Sequence, residues 1–519
     1  MRLLFFKSFF VPVFAFWFTG ILNLRMPVNF VLTILAQLRL ILLLVVGKLG
    51  ADSARRSNFM QLRSKCLLSA GVLVAALWFI PLAGAETIDG ALARAYQSNP
   101  DLNAKRASLR AIDESVTRAS SAGRPKVNST ADYGLSDQWK SQKTGRLDYS
   151  DQSLPRGAGV SVTQVLFASG KIEAAVNAAE RGVIAERNNL ANTEMQTLVD
   201  AATAYMDVLR DTSVVDLRKN NISVLKEQLR QTQDRFSVGE VTRTDVAQVE
   251  ARLASAQADL ATAEGTLKTS IAKYRQVIGE DPRKVDPARP LARFTYKSLN
   301  DAVATALASH PSVMYALVNV EVAEYLLRQA YSGLGPTLGV TATSSKRYEY
   351  QNSGPKYSSN SIVAQLTFPL YDGGDTHAGI RQAKEVVGQR RLEADSAREK
   401  VRAGVIGSWS QLEAAKARIQ SANAQVEAAT IALNGIREEA KVGQRTTLDV
   451  LLTDQDLLSA RVSLVQAQRD RVVYSYALAQ AVGQLNADNL KLNVRIYDPV
   501  AHYNAVSDKW FGIIPPESN

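Results

Sequence analysis

Two short stretches, FSVGEVTRTDV at residues 236–246 and AKVGQRTTLDV at residues 440–450, decide the fold of this 519-residue chain. They lie 204 residues apart, and each carries Val-Gly followed six residues later by Asp. Each interrupts a long run without proline, and glycine readily permits a tight reversal of the chain. The two stretches therefore predict two helical hairpins related by an internal repeat.

The repeat extends outward from these turns over the chain that follows residue 85. At an offset of 204, the same residue type recurs for Gly170, Leu253, Ser255, Ala256, Leu260, Ala263 and Gly279. Further upstream the offset is 211, and it relates Ala91, Ala95, Pro100 and Pro125 to identical residues. The chain therefore contains two copies of one unit, and the first copy has a loop seven residues longer between its extended segments.

Both copies predict the same order of elements. The first copy is predicted as a helical stretch (88–121), two extended segments (125–134 and 157–167) joined by a polar loop, and a long helix (171–237). The second has the same elements at residues 299–332, 336–350, 361–370 and 375–441. Extended segments of about ten residues suit tilted strands of an outer-membrane barrel. The long helices reach about 100 Å, and a return helix with a heptad seam follows each turn.

The first 85 residues predict a leader. Arg63 and Lys65 precede an apolar run, and Ala83-Gly84-Ala85 is a small-residue cleavage site, so the mature chain is expected to begin at Glu86. Cys66, the only cysteine, lies in this leader. The predicted divisions are a doubtful N-terminal extension (1–59), a signal peptide (60–85), a first repeat (86–279), a linker (280–297), a second repeat (298–483) and a C-terminal tail (484–519). The extension is either two membrane helices or upstream sequence that is not translated.

Charge and composition exclude several classes of function. The net charge is +11, but residues 1–85 hold nine Lys and Arg and one acid, which leaves 52 basic and 49 acidic residues. The basic excess therefore belongs to the leader, and nucleic acid is not an expected partner. The three histidines lie far apart, and no nucleophile or phosphate-binding motif is present. We expect no enzyme activity, no cofactor and no metal.

Strand counting predicts assembly. Four strands cannot close a barrel, and lipid does not tolerate an open sheet edge. At least two chains must therefore share one barrel, and the helices that continue from the strands are expected to form a coaxial tube.

The openings SNPDL at residues 98–102 and SHPSV at residues 309–313, together with the duplicated unit and the paired turns, resemble the TolC family of outer-membrane efflux proteins. The resemblance covers residues 86–485. It implies an α+β membrane protein that assembles as a homotrimer. The trimer has a twelve-stranded β-barrel in outer-membrane lipid, continuous with a long α-helical coiled-coil tunnel in the periplasm. Expected partners are a periplasmic adaptor (membrane fusion) protein and an inner-membrane RND or ABC pump.

The resemblance also implies a function. The protein is expected to be a passive exit duct that conducts drugs and other small toxic compounds from the pump to the outside. One alternative is the outer-membrane channel of a type I (ABC) protein secretion system. Another, of a different class, is a non-conducting envelope scaffold or adhesin.

The same resemblance implies roles for residues near the turns. Asp245 and Arg445 are expected to hold the gate closed through a salt bridge or hydrogen bond, and Asp449 to form a ring of carboxylates at the pore constriction. The family's second ring falls on Leu452 here; of Asp454 and Asp456, only Asp456 lies on the same helical face as Asp449, so it is the residue expected to compensate. The family's aromatic gate position is occupied by Ala440, so that contact is not expected here. Adaptor docking is expected at Val238, Gly239, Thr244, Val442, Gly443, Thr446 and Thr447. The structural alternatives are that both aspartates cap helices and that the glycines serve only the reversal.

Overall fold

The computed structural model describes residues 86–140, 149–291, 296–349 and 354–516. The predicted N-terminal extension and signal peptide, with Cys66, lie outside these residues. The elements of the first copy are α1 Ile88–Ser98, α2 Pro100–Ser120, β1 Lys126–Tyr133, β2 Ser136–Lys140, β3 Tyr149–Ser153, β4 Arg156–Phe167, α3 Lys171–Ser237 and α4 Arg243–Ile278. Those that follow are α5 Leu299–Ser309, α6 Pro311–Tyr331, β5 Thr337–Tyr348, β6 Lys356–Thr367, α7 Asp375–Lys441, α8 Thr447–Ala481 and α9 Ala501–Val506.

The two long helices have the predicted bounds, but the helical stretch at the start of each copy is broken in two. The breaks fall at Asn99 and His310, whose backbones are extended (ψ 124° and 127°) because the following proline disfavours the helical conformation. Each residue then caps the next helix. Asn99 Oδ1 accepts from the N–H of Leu102 at 3.0 Å, and His310 Nδ1 accepts from the N–H of Ser312 at 3.1 Å. The shared S-x-P motif is therefore a helix boundary.

The strands differ from the prediction in two places. β6 begins at Lys356, five residues earlier than predicted, and ends at Thr367. The polar loop of the first copy contains a further antiparallel hairpin, in which β2 pairs with β3. The polar loop of the first copy therefore contains two strands that its polar composition did not reveal.

The four longer strands form one antiparallel sheet in the order β1-β4-β5-β6. Its register places different residue types on its two faces. One cross-strand row consists of Val127, Val162, Ala342 and Ile362, and the neighbouring row, on the opposite face, of Asn128, Ser161, Thr343 and Ser361. Because successive side chains of a strand alternate between faces, the sheet has one apolar and one polar face along these rows.

The two hairpins of this sheet have matching registers. Lys126 pairs with Thr163 in the first copy, and Thr337 pairs with Thr367 in the second. These pairs are related by the offsets of 211 and 204 that the sequence shows.

The helices pack side by side along their length. α2 lies on α3, and α6 lies between α3 and α7. Arg181 Nη1 of α3 lies 3.1 Å from Glu321 Oε2 of α6, and Arg391 Nη2 of α7 lies 2.8 Å from Glu324 Oε1 of the same helix. Within the described residues, one helical stretch, Leu299–Leu334, is long and apolar enough to cross a membrane by length and composition. It corresponds to α5 and α6, which the break at His310 separates.

The largest core lies where both copies and the chain ends meet. Tyr205 and Tyr274 are fully buried there, together with Tyr476 of α8. The hydroxyl of Tyr205 lies 2.7 Å from the carbonyl oxygens of Glu86 and Asp286, so it fixes the predicted linker against the first described residue. Leucines of the tail, at 485, 490 and 492, complete this core.

Candidate functional site at the two helical turns

Each hairpin reverses through a short turn that glycine makes possible. Gly239 and Gly443 have φ angles of +80° and +78°, in the left-handed region that side chains with a Cβ rarely adopt. Val238 and Val442, immediately before them, are 77% and 70% exposed. The two turns therefore present an apolar side chain to solvent at the end of a long helical hairpin.

The return helix of each hairpin begins with a capping box. The hydroxyl of Thr242 accepts from the N–H of Asp245 at 3.3 Å, and the carboxylate of Asp245 accepts from the N–H of Thr242 at 2.9 Å. Thr446 and Asp449 make the same pair of bonds at 3.2 and 3.0 Å. Asp245 and Asp449 thus both serve the structural role of a helix cap, whatever further role they have.

Each turn is also bridged by an ion pair, and the sign of the pair is reversed between the copies. In the first turn Arg235 Nη2 lies 2.7 Å from Glu240 Oε1. In the second, Arg445 Nε lies 2.8 Å from Glu439 Oε2. Arg235 and Glu439 are equivalent under the offset of 204 and carry opposite charges. Each pairs with a residue of opposite charge on the other side of its turn, which is Glu240 in the first copy and Arg445 in the second.

The two predicted gate residues therefore each have a partner on their own hairpin. Hydrogen bonds from Thr242 hold the pKa of Asp245 below its usual value, and the bond to Glu439 raises the pKa of Arg445. Both side chains are consequently charged at neutral pH. A contact between Asp245 and Arg445 stays a prediction, and forming it requires Arg445 to exchange or share its bond to Glu439.

The carboxylates predicted at the constriction lie in different surroundings. Asp449 is half-buried, and hydrogen bonds from the backbone N–H and hydroxyl of Thr446 lower its pKa. Asp456 is exposed. Asp454, between them, lies 3.3 Å from Arg437 Nη2, and burial raises its pKa. Within the described part of the chain, Asp454 is thus the one of these three carboxylates that has an ion pair within 4 Å.

A cleft of about 530 Å³ separates the two hairpins near the turns. Its lining includes Glu227 and Arg235 of α3, Arg437 and Ala440 of α7, and Val450 of α8. The small side chain of Ala440 occupies the position at which the family resemblance implies an aromatic residue. The two turns of one chain thus flank an open, charged cleft.

The predicted docking residues lie at the turns, and most of them are exposed. Thr244 is exposed and Thr447 is half-buried, while Thr446 holds the cap of α8. The sequence analysis missed Arg235, Glu240 and Glu439. The signal that could have found them is the placement of opposite charges on either side of each turn glycine.

Comparisons with known proteins place this geometry in a family. The model of the outer membrane efflux protein family matches residues 91–280 and 302–484, one match for each copy. The outer membrane efflux protein BepC of Brucella suis biovar 1 is 42% identical over 455 residues, covering 87% of this chain and 98% of BepC. The outer membrane protein TolC of Vibrio cholerae serotype O1 is 26% identical over 432 residues, covering 81% of this chain and 94% of that protein.

A solved structure shares this fold. The Campylobacter jejuni CmeC outer membrane channel superimposes with a TM-score of 0.68 at 14% identity, covering 81% of this chain and 89% of that structure. The resemblance to the TolC family found in the sequence is confirmed. The chain is therefore an outer-membrane channel that belongs to the outer membrane efflux protein family.

Proposed function

We propose that the protein is a homotrimeric exit duct that conducts drugs and other small toxic compounds out of the cell. In this proposal twelve strands from three chains form a barrel in the outer membrane, and the long helices form a tunnel through the periplasm. An inner-membrane RND or ABC pump supplies the cargo, and a periplasmic adaptor docks at the exposed turns.

The two-faced sheet with unpaired edges carries this proposal. In the described sheet β1 and β6 each pair on one side only, and an apolar sheet with free edges is not stable in lipid. Pairing β6 of one chain with β1 of the next removes both edges. The row of Val127, Val162, Ala342 and Ile362 then faces lipid, and the neighbouring row that contains Asn128 faces a polar lumen.

The repeat specifies the register of this contact between chains. β4 pairs with β5 across the two copies, with Val162 opposite Ala342. Applying the offsets of 204 and 211 places Leu366 of one chain opposite Ala131 of its neighbour. The family resemblance supports three chains as the number that share the barrel.

The experiment combines cross-linking with conductance. Leu366→Cys together with Ala131→Cys is expected to yield a covalent trimer with a short thiol cross-linker in native membranes, because directly opposed side chains lie about 5 Å apart. Leu366→Cys with Asp132→Cys is the matched control, since Asp132 lies on the other face. The purified trimer is expected to conduct in single-channel recordings. Absence of conductance would contradict the duct and favour a non-conducting scaffold.

The cargo is tested by deleting the gene. We expect sensitivity to drugs and detergents to increase, in keeping with the efflux family to which the chain belongs. Loss of secreted proteins without a change in drug sensitivity would instead assign the duct to type I secretion.

At the periplasmic end we propose that Asp245 and Arg445 form the closed gate and that Asp449, with Asp456, lines the constriction. The exposure of the turns and the charged state of these side chains support the proposal. A few exposed contacts, each contributing about 1 kcal/mol or less, suit a gate that must open when a partner binds.

A further inference from the structure

The C-terminal tail extends along α2 toward the sheet. His502 Nδ1 lies 3.0 Å from the buried carboxylate of Asp113. One helical turn further, the hydroxyl of Thr117 donates to the carbonyl of Val506 at 2.7 Å. Arg124 Nη1 then donates to the carbonyl of Lys509 at 2.7 Å. Because β1 begins at Lys126, the tail reaches the level at which helices give way to strands.

Beyond Lys509, residues 510–514 carry large apolar side chains that the described part of the chain leaves exposed. Trp510, Phe511, Ile513 and Ile514 are 65, 91, 99 and 79% exposed. Two contacts involve this tip. The guanidinium of Arg124 stacks on Trp510 at 4.8 Å from the ring centroid, and Lys509 Nζ donates to the carbonyl of Ile514 at 2.9 Å. The tip is therefore a loop joined to Arg124, and it leaves the side chains of Phe511, Ile513 and Ile514 exposed.

Other exposed apolar side chains lie at the same level, where strands join helices. Phe167 ends β4 and is 52% exposed, and Leu370 and Tyr371 follow β6 and are 89% and 88% exposed. Aromatic side chains concentrate at the boundary between lipid and water, where one part of the ring is apolar and the other is hydrated. The tip thus continues a belt that the ends of the strands already form.

We propose that residues 510–514 insert into the inner leaflet of the outer membrane and anchor each helical bundle to the phospholipid surface. The side chains of Trp510 and Phe511 suit the interface, those of Ile513 and Ile514 suit the acyl region, and Arg124 lies at the level of the anionic headgroups. This inference rests on the proposed placement of the sheet across the membrane. The inserted tip would attach the protein to the membrane at a point outside the barrel.

The test uses spin labels on the full-length protein with Cys66→Ser. Ile513→Cys is labelled with a nitroxide, and the assembled protein is reconstituted into phosphatidylethanolamine and phosphatidylglycerol vesicles. Collisions with oxygen, which is enriched in lipid, are compared with those of a water-soluble nickel chelate. Ile362→Cys on the apolar sheet face and Thr244→Cys at the turn are the lipid and water references.

The expected result is high oxygen and low nickel accessibility at position 513, as at position 362. Nickel accessibility equal to that at position 244 overturns the anchor, and low accessibility to both reagents overturns it in favour of a neighbouring subunit. If position 362 is itself accessible to nickel, the placement of the sheet fails as well, so the two failures are distinguishable.

A second variant pair tests whether the apolar side chains cause the insertion. Phe511→Asp with Ile514→Asp, and the label kept at position 513, is expected to restore nickel accessibility. Asn504→Asp with Ala505→Asp adds the same charge at exposed positions of α9 and is expected to leave the label in lipid. Equal behaviour of the two double variants contradicts the proposal.

Discussion

The helices α3 and α7 have the same length of 67 residues and the same place in their copies, yet α3 buries 22 side chains and α7 buries 8. α3 is packed by α1, α2, α4, α6 and α8, whereas α7 is packed by α5, α6 and α8. Ile406 of α7 is 42% exposed, while its equivalent Ala202 in α3 is fully buried. The difference teaches that the described residues leave one face of α7 uncovered in the second copy, and in the proposed trimer α2 of a neighbouring chain is the expected cover.

The largest effect is expected from placing a charge on that face. Ile406→Asp is expected to leave the chain folded but prevent trimer formation, because burying an unpaired carboxylate costs several kcal/mol. Val405→Asp is the matched control at a fully buried position, and it is expected to unfold the chain itself. The mass of the purified species and its helical content distinguish the two. A full-size trimer of Ile406→Asp would show that this face of α7 is not an interface.

The second effect concerns the two turns. Asp245→Ala with Arg445→Ala is expected to raise single-channel conductance by releasing the proposed gate. Because Asp245 also caps α4, Thr242→Ala is the control: it removes the cap hydroxyl and keeps the carboxylate. An equal rise in the control would attribute the effect to loss of the cap, and no rise in the double variant would remove both residues from the gate.

A smaller effect is expected on ion selectivity. Asp449→Asn is expected to lower the preference for cations, whereas Asp245→Asn, its equivalent in the first copy, is expected to change it less. Because Thr446 lowers the pKa of Asp449, the carboxylate stays charged, and selectivity persists, as the pH falls below the usual range for aspartate. Thr446→Val removes the hydroxyl donor and is expected to move the loss of selectivity to higher pH. Reversal potentials measured from pH 3 to pH 7 provide the test, and identical profiles for Thr446→Val and the parent would contradict it.

The smallest effect concerns one ion pair. Arg181 and Glu321 join α3 to α6 within a chain, and the offsets of 204 and 211 place Glu385 opposite Arg110 of the next chain with the charges exchanged. Arg110→Glu is expected to lower the dissociation midpoint of the trimer slightly, since an exposed pair contributes about 1 kcal/mol or less. Adding Glu385→Arg is expected to restore it. Failure of the double variant to recover would contradict this pairing.

Much of the fold follows from residues with strong backbone preferences. Gly239 and Gly443 mark the reversals, and the absence of proline between them and Gly170 or Gly374 allowed the bounds of both long helices to be predicted. The break at Asn99 was missed because the apolar residues of α1 and α2 recur with the same spacing as those of one continuous helix. The hairpin of β2 and β3 was missed because its polar residues carry no alternation of apolar side chains.

At the candidate site, the position of the two turns could be predicted, but the bonds made there could not. The reversals at the two glycines were predicted, whereas the bond between Arg445 and Glu439 was not. A pairing across a turn depends on the direction in which each side chain leaves its helix. That direction changes when the helix ends one residue earlier or later. The role of the tail, which fixes itself to α2 through Asp113 and Thr117, also depends on tertiary packing that no local pattern encodes.

The length of α3 and α7 turns small rotations into large displacements. The largest core holds α3 along its middle around Tyr205, while near the turns a separate cluster of Ile222, Leu225 and Val249 packs α3 against α4. Ser237 lies 32 residues beyond Tyr205, a lever arm of about 48 Å, so a tilt of about 5° about the core moves the turn by about 4 Å. In a hairpin of this length, a small tilt at the core therefore becomes a displacement of several ångströms at the turn. In the proposed duct, a partner bound at the turns would therefore change the width of the aperture while the atoms around the core hardly move.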